Sequence, residues 1–208
     1  MKVEIKACTP DPLRVISEAA GTCYGKDNYS ENRVRNCLKS GHTSVFEHAS
    51  VTFKVSGISR ACSHQLVRHR LASYSQESQR YCKIDTESDE WYVIPPWFDD
   101  DCEEEYIPSN KGAFMYVMEQ CAIDYQEALS RGCKPEDARY LLPEATKTTI
   151  VVTMNARELF HFLDVRNTQQ AQWEIRDLAK AMTSALRAVD GWRDLVAIRE
   201  EGRGWASS

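Results

Sequence analysis

The chain has 208 residues, 42% of them hydrophobic, so it is long enough to bury a core, and we expect one domain over residues 1–208. Acidic residues outnumber basic ones by 31 to 26, and the formal net charge of −5 disfavours binding of nucleic acid through a broad basic surface. No apolar run approaches the roughly 20 residues of a membrane-spanning helix, and the composition disfavours intrinsic disorder.

Short strands and helices are predicted in the first part of the chain. Residues 3–7 alternate as a strand, and Asp11-Pro12 then supplies an N-cap and a proline at the first helical position. A second helix is predicted over residues 30–40. Residues 51–55 alternate as a half-buried strand, which we expect to end at Gly57.

The next segment is rich in polar residues. Residues 59–71 predict a helix in which Gln65 shares a face with Arg68 and His69, at spacings of three and four residues. Residues 73–79 are too polar to bury without a ligand, so we predict a loop there.

The second half is predicted to be mainly helical. Residues 84–108 are acidic and interrupted by prolines, and we expect an exposed excursion. The pattern of residues 113–130 predicts a long amphipathic helix whose Met and aromatic stripe serves packing and not a cofactor. The residues of that stripe are Phe114, Val117, Met118, Cys121, Tyr125 and Leu129. β-branched residues predict a buried strand over 148–154. Further helices are predicted at 135–142, 158–166 and 171–189, and the last of them has Ile175, Leu178, Met182 and Leu186 on its apolar face.

These elements predict an α/β fold of the α+β kind, with a central β-sheet and flanking helices in one compact domain. Two of the strands lead into polar segments, one towards Arg68 and the other towards Asn155. Strand ends that lead into helices often hold ligands, and the helix N-terminus after Asn155 favours an anion.

Cysteine and histidine patterns bear on compartment and metal binding. The eight cysteines include no CxxC pair, and the N-terminus lacks the apolar stretch of a signal peptide, so we expect reduced thiols in a cytoplasmic protein. The five histidines follow no HExxH or comparable ligand pattern, and no metal site is predicted.

Residues 68–81 are the most informative segment for function. They combine Arg68, Arg70 and Arg80 with His69 and a run of hydroxyl and amide side chains. Arginines this close repel one another unless an anion lies between them, and guanidinium groups match the oxygens of phosphate. A bound phosphorylated ligand is therefore favoured over the simpler interpretation, a solvated basic surface helix.

The same segment resembles a known family signature. Arg68-His69-Arg70, followed by seven residues and Ser78, resembles the RHR-x7-S signature of the flavin-dependent thymidylate synthases. Other segments agree with that family in order and approximate spacing, from about residue 41 to 175. They are Phe46-Glu47-His48-Ala49-Ser50, Gln65, Arg80, Ala138-Arg139, Leu142-Pro143, Asn155-Ala156-Arg157, Arg166 and Ala171-Gln172-Trp173-Glu174-Ile175.

The resemblance implies the family's compact fold and reductive methylation of dUMP to dTMP. Methylenetetrahydrofolate would supply the carbon, FAD reduced by NADPH would supply the hydride, and a homotetramer would share its sites between subunits. By resemblance, the FAD contacts are His48, Ser50, Arg68, His69, Arg70, Asn155, Arg157 and His161. The residues around the nucleotide are Gln65, Leu66, Val67, Arg68, Gln76, Glu77, Ser78, Gln79, Arg80, Arg139 and Arg166.

Elementary chemistry agrees with this division. A dianionic nucleotide phosphate suits two cations, Arg80 and Arg139, while Arg68 and Arg70 suit the pyrophosphate of FAD. The family's residue for stabilising charge that develops on the uracil ring corresponds to Arg166, which is the predicted catalytic residue. No cysteine lies in a segment typical of the nucleophile of classical thymidylate synthases, so a cysteine adduct is not expected.

Some residues depart from the family pattern, and other functions remain open. Ser75 and Gln76 stand where many members have Asn and Glu, and His161 stands where others have Asn. One alternative is a nucleotide-binding module without chemistry, and another is a His-based metal hydrolase. A third is a single-stranded nucleic-acid binder that stacks bases on Tyr74 and Tyr81, which the net charge of −5 disfavours.

Overall fold

The computed structural model of the chain describes residues 1–26, 28–88, 90–99 and 110–203. The strands are β1 (Lys2–Cys8), β2 (Ser50–Ser59), β3 (Ala72–Gln76) and β4 (Lys147–Asn155). The helices are α1 (Pro12–Thr22), α2 (Glu31–Lys39), α3 (Arg60–Leu66), α4 (Asn110–Ser130), α5 (Pro135–Ala138), α6 (Ala156–Arg166), α7 (Trp173–Arg187) and α8 (Trp192–Arg203). Short 3-10 helices span Thr43–His48, Pro96–Phe98 and Arg139–Leu141.

The strands form one antiparallel sheet in the order β1-β2-β4-β3, with β1 and β3 at its edges. The prediction of an α+β fold with a central sheet and flanking helices is therefore confirmed. The chain divides into two compact units, and the boundaries fall within β2, α3, β3 and β4. The first unit comprises Met1–Val55, Gln65–Ser75 and Ile150–Ser208, and the second Ser56–His64 and Gln76–Thr149. One domain over residues 1–208 stays a prediction.

In the first unit, alternate residues of the sheet and the apolar face of α7 form the core. Along β4 every second side chain is buried, so this strand presents one buried face and is not buried throughout, as its composition had suggested. The four residues predicted for the apolar face of α7 are all buried, namely Ile175, Leu178, Met182 and Leu186. The sequence did not predict α8, whose Trp192 is fully buried.

Two helix starts follow from their capping residues. The Asp11 carboxylate accepts the backbone N–H of Arg14 at 3.1 Å, and Pro12 begins α1 as predicted. The Asn155 side chain accepts the backbone N–H of Glu158 at 2.9 Å and so caps α6. The predicted Asp11 cap is confirmed, because capping depends on residues only a few positions apart. Helix α6 begins at Ala156, two residues before its predicted start, and its Asn155 cap was not predicted.

The predicted end of β2 is wrong. Gly57 does not end the strand, which continues to Ser59. The φ angle of Gly57 is +74°, a value that glycine adopts without steric cost. Glycine here therefore allows the strand to continue through an unusual backbone conformation.

The predictions for residues 59–79 are also wrong in part. Helix α3 ends at Leu66, so Arg68 and His69 lie on a turn and do not share a helical face with Gln65. Most of the predicted loop is strand β3, in which Ala72, Tyr74 and Gln76 are half-buried while the serines between them are exposed. An edge strand tolerates such polar residues because one side of it faces solvent.

In the second unit, part of the predicted exposed excursion is packed. Trp91 and Tyr92 are buried and form a small core with Met118 of α4, and Tyr92 pairs with Thr146 in an isolated bridge. Residues 89 and 100–108 of the excursion lie outside the described residues. Helix α4 also departs from its predicted stripe, because Val117 is exposed.

Candidate functional site

Strand β3 decides where the Arg68-His69-Arg70 turn lies. Since β3 runs antiparallel beside β4, its first residue lies next to the end of β4, where α6 begins. The Tyr74 hydroxyl on β3 shares its proton between two main-chain carbonyl oxygens. These are the oxygens of Leu66, the last residue of α3, at 2.9 Å and of His69 at 2.8 Å. Burial raises the pKa of Tyr74, so the phenol keeps the proton that these contacts need.

The His69 side chain is only 5% exposed and lies in a buried polar cluster with two residues of α6, Glu158 and Arg166. Its Nε2 accepts a hydrogen bond from Nε of Arg166 at 3.1 Å, and its Nδ1 lies 3.5 Å from Oε1 of Glu158. Burial, with the charges of Arg166 and His161, lowers the pKa of His69 to about 4. The ring is therefore neutral near pH 7, and its contact with Glu158 is not an ion pair. The Phe162 ring packs edge-on against it at 5.0 Å.

Arg68 and Arg70 flank the buried His69 on the same turn. Both side chains are exposed. Within the part of the chain that the structure describes, neither guanidinium has a carboxylate partner. These two cations are therefore available to an external anion such as a pyrophosphate.

Two segments predicted to contact flavin meet at the start of α6. The backbone N–H of Ala156 donates to the carbonyl of Ala49 at 2.8 Å, which brings the flanking His48 and Ser50 beside Asn155. The side chains of His48 and Ser50 are exposed. Residues that are about a hundred positions apart in the sequence thus form one surface in the first unit.

A cavity of about 610 Å³ lies in the first unit, a size suited to a cofactor. Two predicted flavin residues, Arg157 and His161, line it. The Arg157 guanidinium lies 2.5 Å from a Glu47 carboxylate oxygen. The remaining lining residues are Leu38, Thr43, Phe46, Leu71, Glu158, Phe160, Asp164, Arg199 and Gly202.

In the second unit, Glu136 joins the two arginines predicted to bind phosphate. Its carboxylate oxygen Oε2 accepts from Nε of Arg80 at 3.2 Å and lies 3.1 Å from Nη2 of the same side chain. Its main-chain carbonyl accepts from Nε of Arg139 at 3.0 Å. Because the Arg80–Glu136 pair is largely exposed, it contributes only about 0–1 kcal/mol, and a phosphate can displace the carboxylate.

Arg139 also lines a cavity of about 310 Å³ in the second unit, together with the predicted Gln79. Sequence reasoning missed two basic residues of this cavity, Arg60 and His64 on α3. Burial lowers the pKa of Arg60, and Glu144 opposes that shift. The four-residue spacing of Arg60 and His64 on one helix is the signal that could have indicated them.

Two further predicted nucleotide residues are engaged with protein groups. The Gln76 side-chain N–H2 donates to the hydroxyls of Ser63 at 2.9 Å and Thr148 at 3.2 Å. The Ser78 hydroxyl accepts the backbone N–H of Arg80 at 3.3 Å. Contacts of Gln76 with a ligand would therefore use its amide oxygen more readily than its nitrogen.

The other predicted nucleotide residues differ in exposure. The Gln65 side chain donates to that of Gln172 at 3.4 Å, next to the start of α7. Leu66 is fully buried, so any contact of this residue with a ligand has to come from its main chain. Val67 and Glu77 are exposed.

The described residues contain neither a metal-binding cluster nor a membrane-spanning helix. In residues 1–26, 28–88, 90–99 and 110–203, no three His, Cys, Asp or Glu side chains are grouped to hold a metal ion. Over the same ranges, no helix is long and apolar enough to span a membrane.

Known proteins are similar to this chain over most of its length. Residues 4–190 match the family described as Thymidylate synthase complementing protein. The chain is 42% identical over 200 residues to a flavin-dependent thymidylate synthase from Geobacter sulfurreducens, covering 91% of this chain and 83% of the relative. A flavin-dependent thymidylate synthase from Pyrococcus furiosus is 40% identical over 208 residues, covering 94% and 83%.

The fold is similar to that of a solved structure with bound ligands. This is the flavin-dependent thymidylate synthase ThyX from Helicobacter pylori, crystallised in complex with FAD and dUMP. The TM-score is 0.75 at 27% sequence identity, and the match covers 92% of this chain and 97% of the other.

Proposed function

Because this chain belongs to the family of flavin-dependent thymidylate synthases, we propose that it converts dUMP into dTMP by reductive methylation of the uracil ring at C5. Methylenetetrahydrofolate supplies the carbon and NADPH the reducing equivalents. When bound, FAD supplies hydride-transfer chemistry. The observation that carries this proposal is the convergence of Arg80 and Arg139 on Glu136 in the second unit.

The nucleotide phosphate is assigned to that pair of arginines. A phosphate dianion offers more acceptor oxygens than one carboxylate, so it can replace Glu136 as the partner of Arg80 while also reaching Arg139. The Ser78 turn adds a hydroxyl and backbone N–H groups near Arg80. The remaining predicted nucleotide residues are proposed to surround the sugar and base, namely Gln65, Leu66, Val67, Arg68, Gln76, Glu77 and Gln79.

Arg166 is proposed as the catalytic residue. Its Nε is occupied by His69, which leaves the two terminal nitrogens of the guanidinium for the uracil ring. As C5 becomes nucleophilic, negative charge develops on the N3/O4 side of the ring. A guanidinium already held in place stabilises that charge without reorganisation, which is the usual origin of such catalytic effects.

The residues of the first unit fit FAD by their chemistry. Arg68 and Arg70 are exposed cations suited to its pyrophosphate. Arg157 and His161 line a cavity of about 610 Å³ and offer hydrogen-bond donors to a flavin edge. The other residues proposed to hold the cofactor are His48, Ser50, Asn155 and His69, whose buried ring anchors the turn that carries Arg68 and Arg70.

A homotetramer that shares its sites between subunits is part of the proposal. Exposed apolar side chains on α4 support association, because monomeric proteins rarely leave such groups together in solvent. They are Met115, Tyr116, Val117 and Ile123. We also place the enzyme in the cytoplasm, which the free thiols of the seven described cysteines support.

One assay tests the proposed function. The purified protein should show flavin absorbance, and NADPH oxidation should yield dTMP, identified by mass, only when dUMP and methylenetetrahydrofolate are both present. The exposed Arg131, which pairs with Glu127 on α4, offers a control variant, Arg131→Ala, expected to keep full activity. A colourless protein that FAD does not reconstitute would instead support a nucleotide-binding module without chemistry.

A further inference from the structure

Glu158 in the first turn of α6 is a buried carboxyl group, with the residue only 4% exposed. Removing a carboxylate from water is costly unless other groups stabilise it. The positive end of the α6 helix dipole and the His69 ring, 3.5 Å from Oε1, provide that stabilisation. A buried acidic residue in this position, facing an imidazole, indicates a role beyond a favourable interaction with the helix dipole.

The contacts of His69 determine which nitrogen of its ring carries the proton. Arginine has only N–H donors, so the 3.1 Å hydrogen bond from Nε of Arg166 requires an unprotonated Nε2 on His69. A neutral imidazole with a free Nε2 carries its proton on Nδ1. That nitrogen is the one that faces Glu158.

We propose that Glu158 is a positioning residue that acts on Arg166 through His69. Its carboxylate accepts a hydrogen bond from Nδ1–H of His69, which keeps the imidazole in one tautomer and one orientation. The lone pair on Nε2 then accepts the hydrogen bond from Nε of Arg166. This bond fixes the plane of the guanidinium and so the direction in which its two terminal nitrogens face the substrate. The consequence for turnover rests on the proposed function, whereas the tautomer does not.

Other contacts support a rigid arrangement around His69. The Tyr74 hydroxyl holds the main-chain carbonyl of His69 at 2.8 Å, so both the backbone and the ring of this residue are fixed. Burial first, and Glu158 second, raise the pKa of Tyr74, so its hydroxyl keeps the proton that it donates. A neutral imidazole orients the guanidinium of Arg166 and leaves its positive charge intact. A carboxylate in direct contact would instead neutralise that charge.

The experiment compares two substitutions of Glu158 in the full-length protein. Glu158→Met removes the acceptor with a side chain of similar length, while Glu158→Gln keeps an amide oxygen that can still accept the Nδ1 proton. Nitrogen-15 NMR of labelled histidine should show a single Nδ1–H tautomer for His69 in the parent and in Glu158→Gln. In Glu158→Met that single tautomer should be lost.

Turnover should follow the tautomer. We expect kcat for dTMP formation to fall by up to about a hundredfold in Glu158→Met. FAD content and the KM for dUMP should stay close to the parental values, and Glu158→Gln should recover most of kcat. If Glu158→Met does not fold, Glu158→Ala removes the same acceptor.

Controls separate this role from a merely structural one. Glu144 lies 3.4 Å from Nδ1 of His64, but in an exposed pair, so Glu144→Met should leave the His69 signals unchanged. Glu18→Met on the surface of α1 should leave kcat unchanged. The inference is overturned if Glu158→Met keeps the single tautomer, or if it loses the tautomer and keeps parental kcat. Should the parent protein form no dTMP, the proposed function fails, while the tautomer measurement still decides the link from Glu158 to His69.

Discussion

Arg166 in the first unit and Arg80 in the second are each held by one side chain, but the partners differ in charge and burial. Arg166 is bonded to the neutral, buried ring of His69, whereas Arg80 pairs with the exposed carboxylate of Glu136. A neutral partner orients a cation and leaves its charge intact. A carboxylate neutralises the cation until a competing anion replaces it. The first arrangement suits stabilisation of charge that develops during a reaction, and the second suits binding of an anion already present.

Removing Arg166 should have the largest effect. We expect Arg166→Ala to lower kcat for dTMP formation by about 10²–10³, the usual loss when a fixed donor to developing charge is removed. Bound FAD, measured by absorbance, should be unchanged because Arg166 is assigned to the substrate. Parental turnover in Arg166→Ala would show that its assigned role is wrong, and Arg131→Ala serves as the arginine control.

Acid should lower the stability of the first unit, because the folded state holds His69 in its neutral form. Its folded pKa of about 4 lies below the ordinary 6.5, so the folded state binds fewer protons than the unfolded state between these values. The contribution of neutral His69 to the free energy of unfolding is complete above pH 6.5 and is lost as the pH falls towards 4. The loss is on the order of 3 kcal/mol. Chemical denaturation at several pH values should show a shallower dependence for His69→Gln. The exposed His42→Gln should keep the parental dependence, and an identical dependence in His69→Gln would contradict the prediction.

Removing Arg80 should affect nucleotide binding more than cofactor binding. Loss of charged hydrogen bonds worth about 1.5–3 kcal/mol predicts a tenfold to hundredfold weaker affinity for dUMP in Arg80→Ala. Isothermal titration with dUMP and with FAD measures both affinities on the same variant. Equal weakening of the two affinities would mean that the assignment of Arg80 to the nucleotide, and not to FAD, is wrong.

Removing the carboxylate charge of Glu136, which competes with the phosphate for Arg80, should have the smallest effect. Unlike the other substitutions, it should strengthen nucleotide binding. Glu136→Gln deletes the charge that neutralises Arg80 but keeps the main-chain carbonyl that holds Arg139. Since an exposed ion pair contributes about 0–1 kcal/mol, the affinity for dUMP should rise by a few-fold at most. Weaker binding in this variant would indicate that Glu136 contacts the nucleotide directly and does not compete with it.

Local signals in the sequence were sufficient for several elements. The Asp11 cap and the apolar stripe of α7 depend on residues within about four positions of one another, and both predictions are confirmed. The arginine-rich motif was recognisable for the same reason, because its residues occur together. Its spacing and the segments that accompany it led to the family that the comparisons show.

Interactions between distant segments were not predictable in this way. Strand β3 was predicted as a loop because its residues are polar, and only pairing with β4 makes it a strand. Trp91 and Tyr92 were assigned to an exposed excursion because their neighbours are acidic, yet Met118 on α4 buries them.

The sequence by itself determined the start of α1, the α+β character and the family to which the chain belongs, since these follow from local spacing and residue chemistry. Only the tertiary structure decided that β3 brings His69 to α6, and that Glu136 links Arg80 with Arg139. Such contacts join residues separated by tens of positions. They exist because antiparallel strand pairing and burial place those residues together, and no pattern within one segment encodes that pairing.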